Sequence, residues 1–152
     1  MDDLRLKRQV CFALYAASRA VTGLYRPALE RLGLTYPQYL VMLVLWEHGE
    51  SSVKDLGAAL MLDSGTLSPL LKRLESVGYL ARRRDPGDER SVLIDLTPSG
   101  EALRGEAATV PTTVARASGM AAKELSALRD TLVALTEAVT APAAHQTDGV
   151  RR

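Results

Sequence analysis

Cysteine occurs once in 152 residues, histidine twice, and aromatic side chains make up only 5% of the chain. A single thiol excludes an internal disulfide. His48 and His145 stand far apart with no second thiol and form no structural zinc pattern, so neither metal nor other cofactor is expected. No stretch approaches the ~18 consecutive apolar residues of a membrane span. The opening MDDLRLKRQV mixes acids and bases where a secretory leader would place an apolar block. A cytoplasmic protein with no membrane partner is therefore expected. Charge of one sign is also lacking: 19 basic against 18 acidic residues give +1, a total that neither indicates nor excludes a nucleic-acid partner.

What the chain does have is aliphatic. Hydrophobic residues make up 47%, mostly Leu, Ala and Val at helical spacing, and the length suits one compact, mainly α domain. From about Leu4 to Arg31, two stripes with 4-3 spacing run side by side: Val10, Leu14, Ala17, Val21, Leu24 and Ala28, then Cys11, Tyr15, Ser18, Thr22 and Tyr25. They predict a long helix with a wide buried face. Thr35, a capping residue ahead of Pro37, opens a second helix that reads as buried nearly all round.

Ser52 with Asp55 starts a short helix, VKDLGAALM, and a turn at Leu62-Asp63 leads into another that ends before Gly78. In the latter, Leu67, Leu70, Leu71, Leu74 and Val77 share one third of the circumference, while Ser64, Thr66, Ser68, Pro69, Lys72, Arg73 and Ser76 take the rest. Two short helices joined by a brief turn, the second with a small-polar and basic outer face, form a helix-turn-helix. Tyr79–Arg84 and Ser91–Leu96 flank the turn formers DPGDER and read as a hairpin, which adds a wing. A helix from Pro98 to about Ser118, bent at Pro111, and another from about Ala121 to Val139 complete the pattern.

The expected fold is thus mainly α, a winged helix-turn-helix at 36–97. Long N- and C-terminal helices (1–35 and 98–140) form a dimerisation region, and 141–152 is a loose tail.

Between Lys72 and Arg90 lie six basic residues against four acidic ones, a modest excess whose placement matters more than its size. Lys72 and Arg73 can reach phosphates or base edges. Ser64, Thr66 and Ser68 lie near the helix end that enters a major groove. Pro69 deletes the bond to the Gly65 carbonyl and should kink the first turns, a broken local rule on the face assigned to DNA. Arg84 adds charge beside the wing turn. Arg90 sits at the hairpin tip, positioned for a neighbouring minor groove, with Asp88 close enough to hold its guanidinium. Taken singly, these charges also read as a solvated helix face and a surface loop; their order and spacing together point to double-stranded DNA.

The segments SSVKDLGAAL, LDSGTLSPLLKRLESVGYL, RRRDPGDERS and LTPSGE resemble the MarR family of winged-helix transcription factors, Asp88 and Arg90 matching its D-x-R wing tip. VCFALYAASRAVTGLYRPALERLGLTYPQYLVMLVLWEH resembles its organic-hydroperoxide-sensing, one-cysteine OhrR-type branch. The resemblance spans about residues 7 to 138. It implies a homodimeric repressor on a palindromic operator, with Cys11 as peroxide sensor and Tyr15, Tyr25 and Tyr36 around it, and no enzymatic activity.

Apart from the family, Lys7 and Arg8 at i−4 and i−3, with an early-helix position, favour the thiolate form in which sulfur attacks peroxide. The competing reading makes Cys11 a small apolar filler between helices. Tyr25 lies 14 residues beyond Cys11, about 21 Å along one helix axis. The two meet only if first helices of two chains cross antiparallel in a two-fold dimer. With no resolving thiol in the chain, a sulfenic acid would pass to a mixed disulfide with a small cellular thiol, to a cyclic sulfenamide, or irreversibly to sulfinic acid. Phe12, Leu14, Met42 and Trp46 offer an apolar setting for organic hydroperoxides, although Met42 and Trp46 read first as core. Three other readings stay open: a MarR-type repressor released by a small aromatic ligand, a thiol peroxidase, and a purely structural helical dimer. For the peroxidase, the sequence lacks an Arg-and-Thr activation pattern and a thioredoxin-like βαβ unit.

Overall fold

The computed structural model describes residues 4–141. The expected loose tail falls outside these apart from Ala141, as do His145 and the first three residues of the chain. The chain divides into two compact units, Met1–Val114 and Ala115–Arg152.

In the first unit, a 3-10 turn at Leu6–Arg8 leads through Gln9, extended at φ −86° and ψ 114°, into α1 (Val10–Glu30). The helix therefore begins at Val10 rather than near Leu4. Cys11 becomes its second residue. α1 also departs from the wide buried face expected of it, because only Leu29 is buried and Val10, Phe12, Tyr15 and Val21 are exposed. The 4-3 periodicity marks a face for covering; its far end, Leu24, Tyr25 and Ala28, packs against the core, while Val10, Phe12, Tyr15 and Val21 are exposed among the described residues.

α2 (Tyr36–His48) begins with a capping box. Thr35 accepts from the Gln38 N–H at 3.4 Å, and the Gln38 side chain accepts from the Thr35 N–H at 3.0 Å. Its Val41, Met42, Leu45 and Trp46 are buried, although Leu43 breaks the all-round burial. Gly49 ends it at φ 74°, where a side chain would be strained.

Three strands follow in the order β1-β3-β2, all antiparallel. β1 (Ser51–Ser52) is too short for an alternating pattern and escaped the sequence reading. β2 (Leu80–Asp85) and β3 (Asp88–Leu96) form the wing hairpin around Pro86-Gly87, with a register shift at Arg84/Asp85. α3 (Val53–Leu60) is capped by Ser52, and α4 (Ser64–Ser76) by Asp63. Met61, left-handed at φ 55°, turns one into the other. α4 runs on through Pro69 as a continuous helix and buries Leu67, Leu71 and Leu74; Val77 lies past its end and is exposed.

Thr97 caps α5 (Pro98–Ala107), and α6 (Val110–Ala117) follows. One bent helix was expected here, with the bend at Pro111. The helix breaks outright instead, at Ala108-Thr109, placing Pro111 in the first turn of α6, where its missing N–H costs nothing. In the second unit, α7 (Ala122–Thr140) has Glu124 accepting from the Ala121 N–H at 2.8 Å.

The core of the first unit joins α2, α3 and α4 to the inner face of the sheet through Met42, Leu45, Leu56, Leu67, Leu74 and Ile94. That core holds the α3–α4 pair and the wing together.

Candidate functional site

Two groups of candidate residues emerge. On α4, Ser64, Thr66, Ser68, Pro69, Lys72 and Arg73 are all exposed, opposite the leucines that anchor the helix. Asp63 accepts the Thr66 N–H at 2.7 Å, and this bond holds its carboxyl below the usual carboxylate range. It stays ionised as a cap and fixes the end of α4 that carries the hydroxyls.

Arg84, Asp88 and Arg90 are exposed on the wing. Asp88 does not hold the Arg90 guanidinium as expected: its Oδ1 accepts the Arg90 backbone N–H at 3.0 Å. The carboxylate closes a local turn two residues wide and leaves the guanidinium for an outside partner. Arg82 and Arg83, part of the basic count, are occupied differently. Arg82 pairs with Glu75 of α4 at 2.7 Å, and Arg83 makes two bonds to Glu50, at 2.8 and 2.6 Å. These pairs depend on cross-strand register, and sequence spacing gave no sign of them.

The second group lies along α1. Cys11 is exposed in the first turn. Ala13 makes the first helical bond, to Gln9, so the N–H groups of Val10 to Phe12 have no intrahelical acceptor and favour negative charge nearby. Tyr15, one turn on, is exposed beneath the Arg19 guanidinium at 5.5 Å.

Tyr25 and Tyr36 meet at a ring separation of 4.8 Å. Tyr39, which the sequence reading passed over, lies 5.9 Å from Tyr25 and continues the row to Trp46 at 6.3 Å. Burial raises the Tyr25, Tyr36 and Tyr39 hydroxyls above their ordinary 10.0; a charge on Tyr25 would raise the other two further. They remain protonated donors across the neutral range. Since Tyr36 touches Tyr25, both phenols sit at the far end of α1 from Cys11. One chain does not bring sulfur and phenols together.

An open groove of about 990 Å³ runs along α1 and the start of α2, lined among others by Phe12, Tyr15, Arg19, Arg26, Tyr36 and Pro37. Phe12 is thus at the groove, while Met42 and Trp46 belong to the core. Among the described residues no group of three His, Cys, Asp or Glu could hold a metal, and no helix is long and apolar enough to cross a membrane.

A family model described as transcriptional regulator SarA/Rot matches residues 23–105, which covers α2 through most of α5 and includes the whole wing. The chain belongs to the MarR-type winged-helix transcriptional regulators. It is a regulator and not an enzyme. The organic hydroperoxide resistance transcriptional regulator of Bacillus subtilis is 47% identical, over 90% of this chain and 92% of its own length. The solved structure of reduced AbfR bound to DNA, a Staphylococcus epidermidis protein, is 34% identical with a TM-score of 0.73, covering 90% of this chain and 94% of that one. AbfR is also known in overoxidised, DNA-bound and disulfide forms. Bordetella bronchiseptica BpsR, whose DNA binding is regulated by 6-hydroxynicotinic acid, is 26% identical with a TM-score of 0.81, over 90% and 99% of the two chains.

Proposed function

We propose that this MarR-type regulator is a cytoplasmic homodimeric repressor that binds a palindromic operator and releases it when an organic hydroperoxide oxidises Cys11. The single observation that carries the reading is an exposed thiol on the stretch of α1 where Val10, Phe12 and Tyr15 are exposed as well. The similarity to a hydroperoxide-resistance regulator agrees with it.

In the dimer, residues 1–35 and 98–140 supply the contact, and two α1 helices cross antiparallel so that Tyr25 and Tyr36 of one chain face Cys11 of the other. The thiolate attacks the outer peroxide oxygen, the O–O bond breaks, and the alkoxide leaves to take a proton from water. Sulfur, oxidised by two electrons, keeps one oxygen as sulfenic acid. A small thiol then displaces water to give the mixed disulfide. The protonated phenols donate to the sulfur at each stage. Added bulk at the seam shifts the two wings away from one-turn spacing, and α4 of each chain leaves its groove. On DNA, Ser64, Thr66, Ser68 and Pro69 face base edges, Lys72, Arg73 and Arg84 face phosphates, and Arg90 enters the minor groove.

The test uses a duplex selected by the protein from a random library. Binding should weaken after treatment with cumene hydroperoxide, in step with mass gain at Cys11, and undiminished binding by the fully modified protein would refute the reading.

A second reading has its own observation: the groove along α1 is open, partly aromatic and edged by Arg19 and Arg26, a setting for an aromatic acid. In that case wild-type and Cys11→Ser protein alike leave DNA with such an acid, and the wild type ignores peroxide.

A further inference from the structure

Arg82 and Arg83 are neighbours on β2, so their side chains leave opposite faces of the sheet. Arg82 is paired with Ile94, a fully buried residue, which places it on the inner face toward the helices. There it reaches Glu75, near the end of α4, at 2.7 Å. Arg83 is paired with Leu93 on the outer face and reaches across central strand β3 to Glu50, the residue just before edge strand β1. Both of its bonds, 2.8 and 2.6 Å, are short and arranged as a fork. The base of the wing is therefore tied on one side to the DNA-facing helix and on the other to the turn that follows α2. The hairpin is also held by the pairing of β1 with β3 and by Ile94 and Val92 at the core, whereas Arg84, Asp88, Glu89 and Arg90 toward its tip are all exposed.

We infer that Glu50 and Glu75 are positioning residues for DNA recognition: through Arg83 and Arg82 they fix the angle of the wing to α4, and with it operator selectivity. The inference rests on the DNA-binding reading above. Both carboxylates are partly exposed, so their loss should change global stability little. A change of angle at these pairs instead displaces the tip of the wing. Arg90 lies on β3 three positions toward the tip from Leu93, the cross-strand partner of Arg83, an arm of about 10 Å, and a rotation at the first carries the second out of register with its groove. Neither carboxylate faces DNA as an attractive group. Their removal deletes no phosphate contact, so the loss is read in discrimination, the ratio of selected to scrambled affinity.

The experiment compares wild type, Glu50→Gln, Glu75→Gln and the charge-exchanged pair Glu50→Arg with Arg83→Glu. Each binds a duplex selected by the wild type and a scrambled duplex of equal length and composition. Amide hydrogen exchange of the hairpin is followed without DNA. The ratio of selected to scrambled affinity should fall about 10-fold in each single variant, with scrambled binding within about 2-fold of wild type. Hairpin amides should exchange faster while α2 amides do not, and the exchanged pair should recover most of the ratio. Unchanged ratios with unchanged hairpin exchange would overturn the positioning role. A wild type that selects no duplex at all would overturn the DNA-binding reading itself, which the hairpin exchange data distinguish from failure of the brace.

Discussion

Replacing Gly100 by alanine forces a Cβ to within 2.2 Å of the Tyr79 carbonyl oxygen, 3.1 Å of its carbon and 3.2 Å of a Leu96 methyl. Two of these contacts are backbone, so relief requires α5 and the entry to β2 to part by about 1 Å. Three bonds meet there: the Thr97 N–H donates to the Tyr79 carbonyl at 3.1 Å, the Gly100 N–H to Thr97 Oγ1 at 3.1 Å, and the buried Trp46 indole N–H to the Gly100 carbonyl at 3.0 Å. Overpacking of this kind costs about 1–3 kcal/mol. Strain on the buried indole bond adds about 1 kcal/mol, so a loss near 3 kcal/mol is expected. In a chain of this size that lowers the melting temperature by about 6–12 °C. Urea unfolding at fixed protomer concentration reads the loss directly, and Trp46, the single tryptophan, sits at the site and serves as the probe. A loss under about 1 kcal/mol with an unchanged slope would refute the close packing of α5 on the wing base.

Other expectations follow from the tyrosine row and the wing. Burial raises Tyr25, Tyr36 and Tyr39, so the folded chain keeps protons that the unfolded chain releases above 10.0. Their contribution is fully present below that value and is lost as pH rises through the raised folded values; urea midpoints at about pH 9 and about pH 11 should differ more in wild type than in a Tyr25→Phe, Tyr36→Phe, Tyr39→Phe variant. Arg84→Ala and Lys72→Ala should each flatten the slope of log affinity against log salt by about 0.9, the value for one lost phosphate contact on duplex DNA. A slope unchanged in both would remove those residues from the interface.

The elements legible in the sequence were those written in local chemistry. Thr35, Ser52, Asp63 and Thr97 each accept an N–H three residues on; Thr35, Ser52 and the Thr97-Pro98 pair marked their helix starts, whereas Asp63 reads in the sequence only as part of a turn. The leucines of α4 and the DPGDER turn located the motif for the same reason. Features that depend on distant partners were not legible. Stripes on α1 state that a face is to be covered but not by what, and among the described residues Val10, Tyr15 and Val21 of those stripes stay exposed. Register decided that Arg82 and Arg83 bind Glu75 and Glu50, and a two-residue β1 carries no pattern at all. Asp88 turned to the Arg90 backbone because an aspartate reaches an N–H two residues on more readily than a flexible guanidinium.

The sulfur is the lever of the whole account, and one titration addresses it. Operator binding of wild type and of Cys11→Ser is measured across increasing cumene hydroperoxide, with intact mass recorded at each point. Wild type should lose operator binding as Cys11 gains about 16 Da per oxygen, then the mass of an added thiol where one is supplied, while Cys11→Ser stays bound. Release of both proteins at the same peroxide concentration would contradict it.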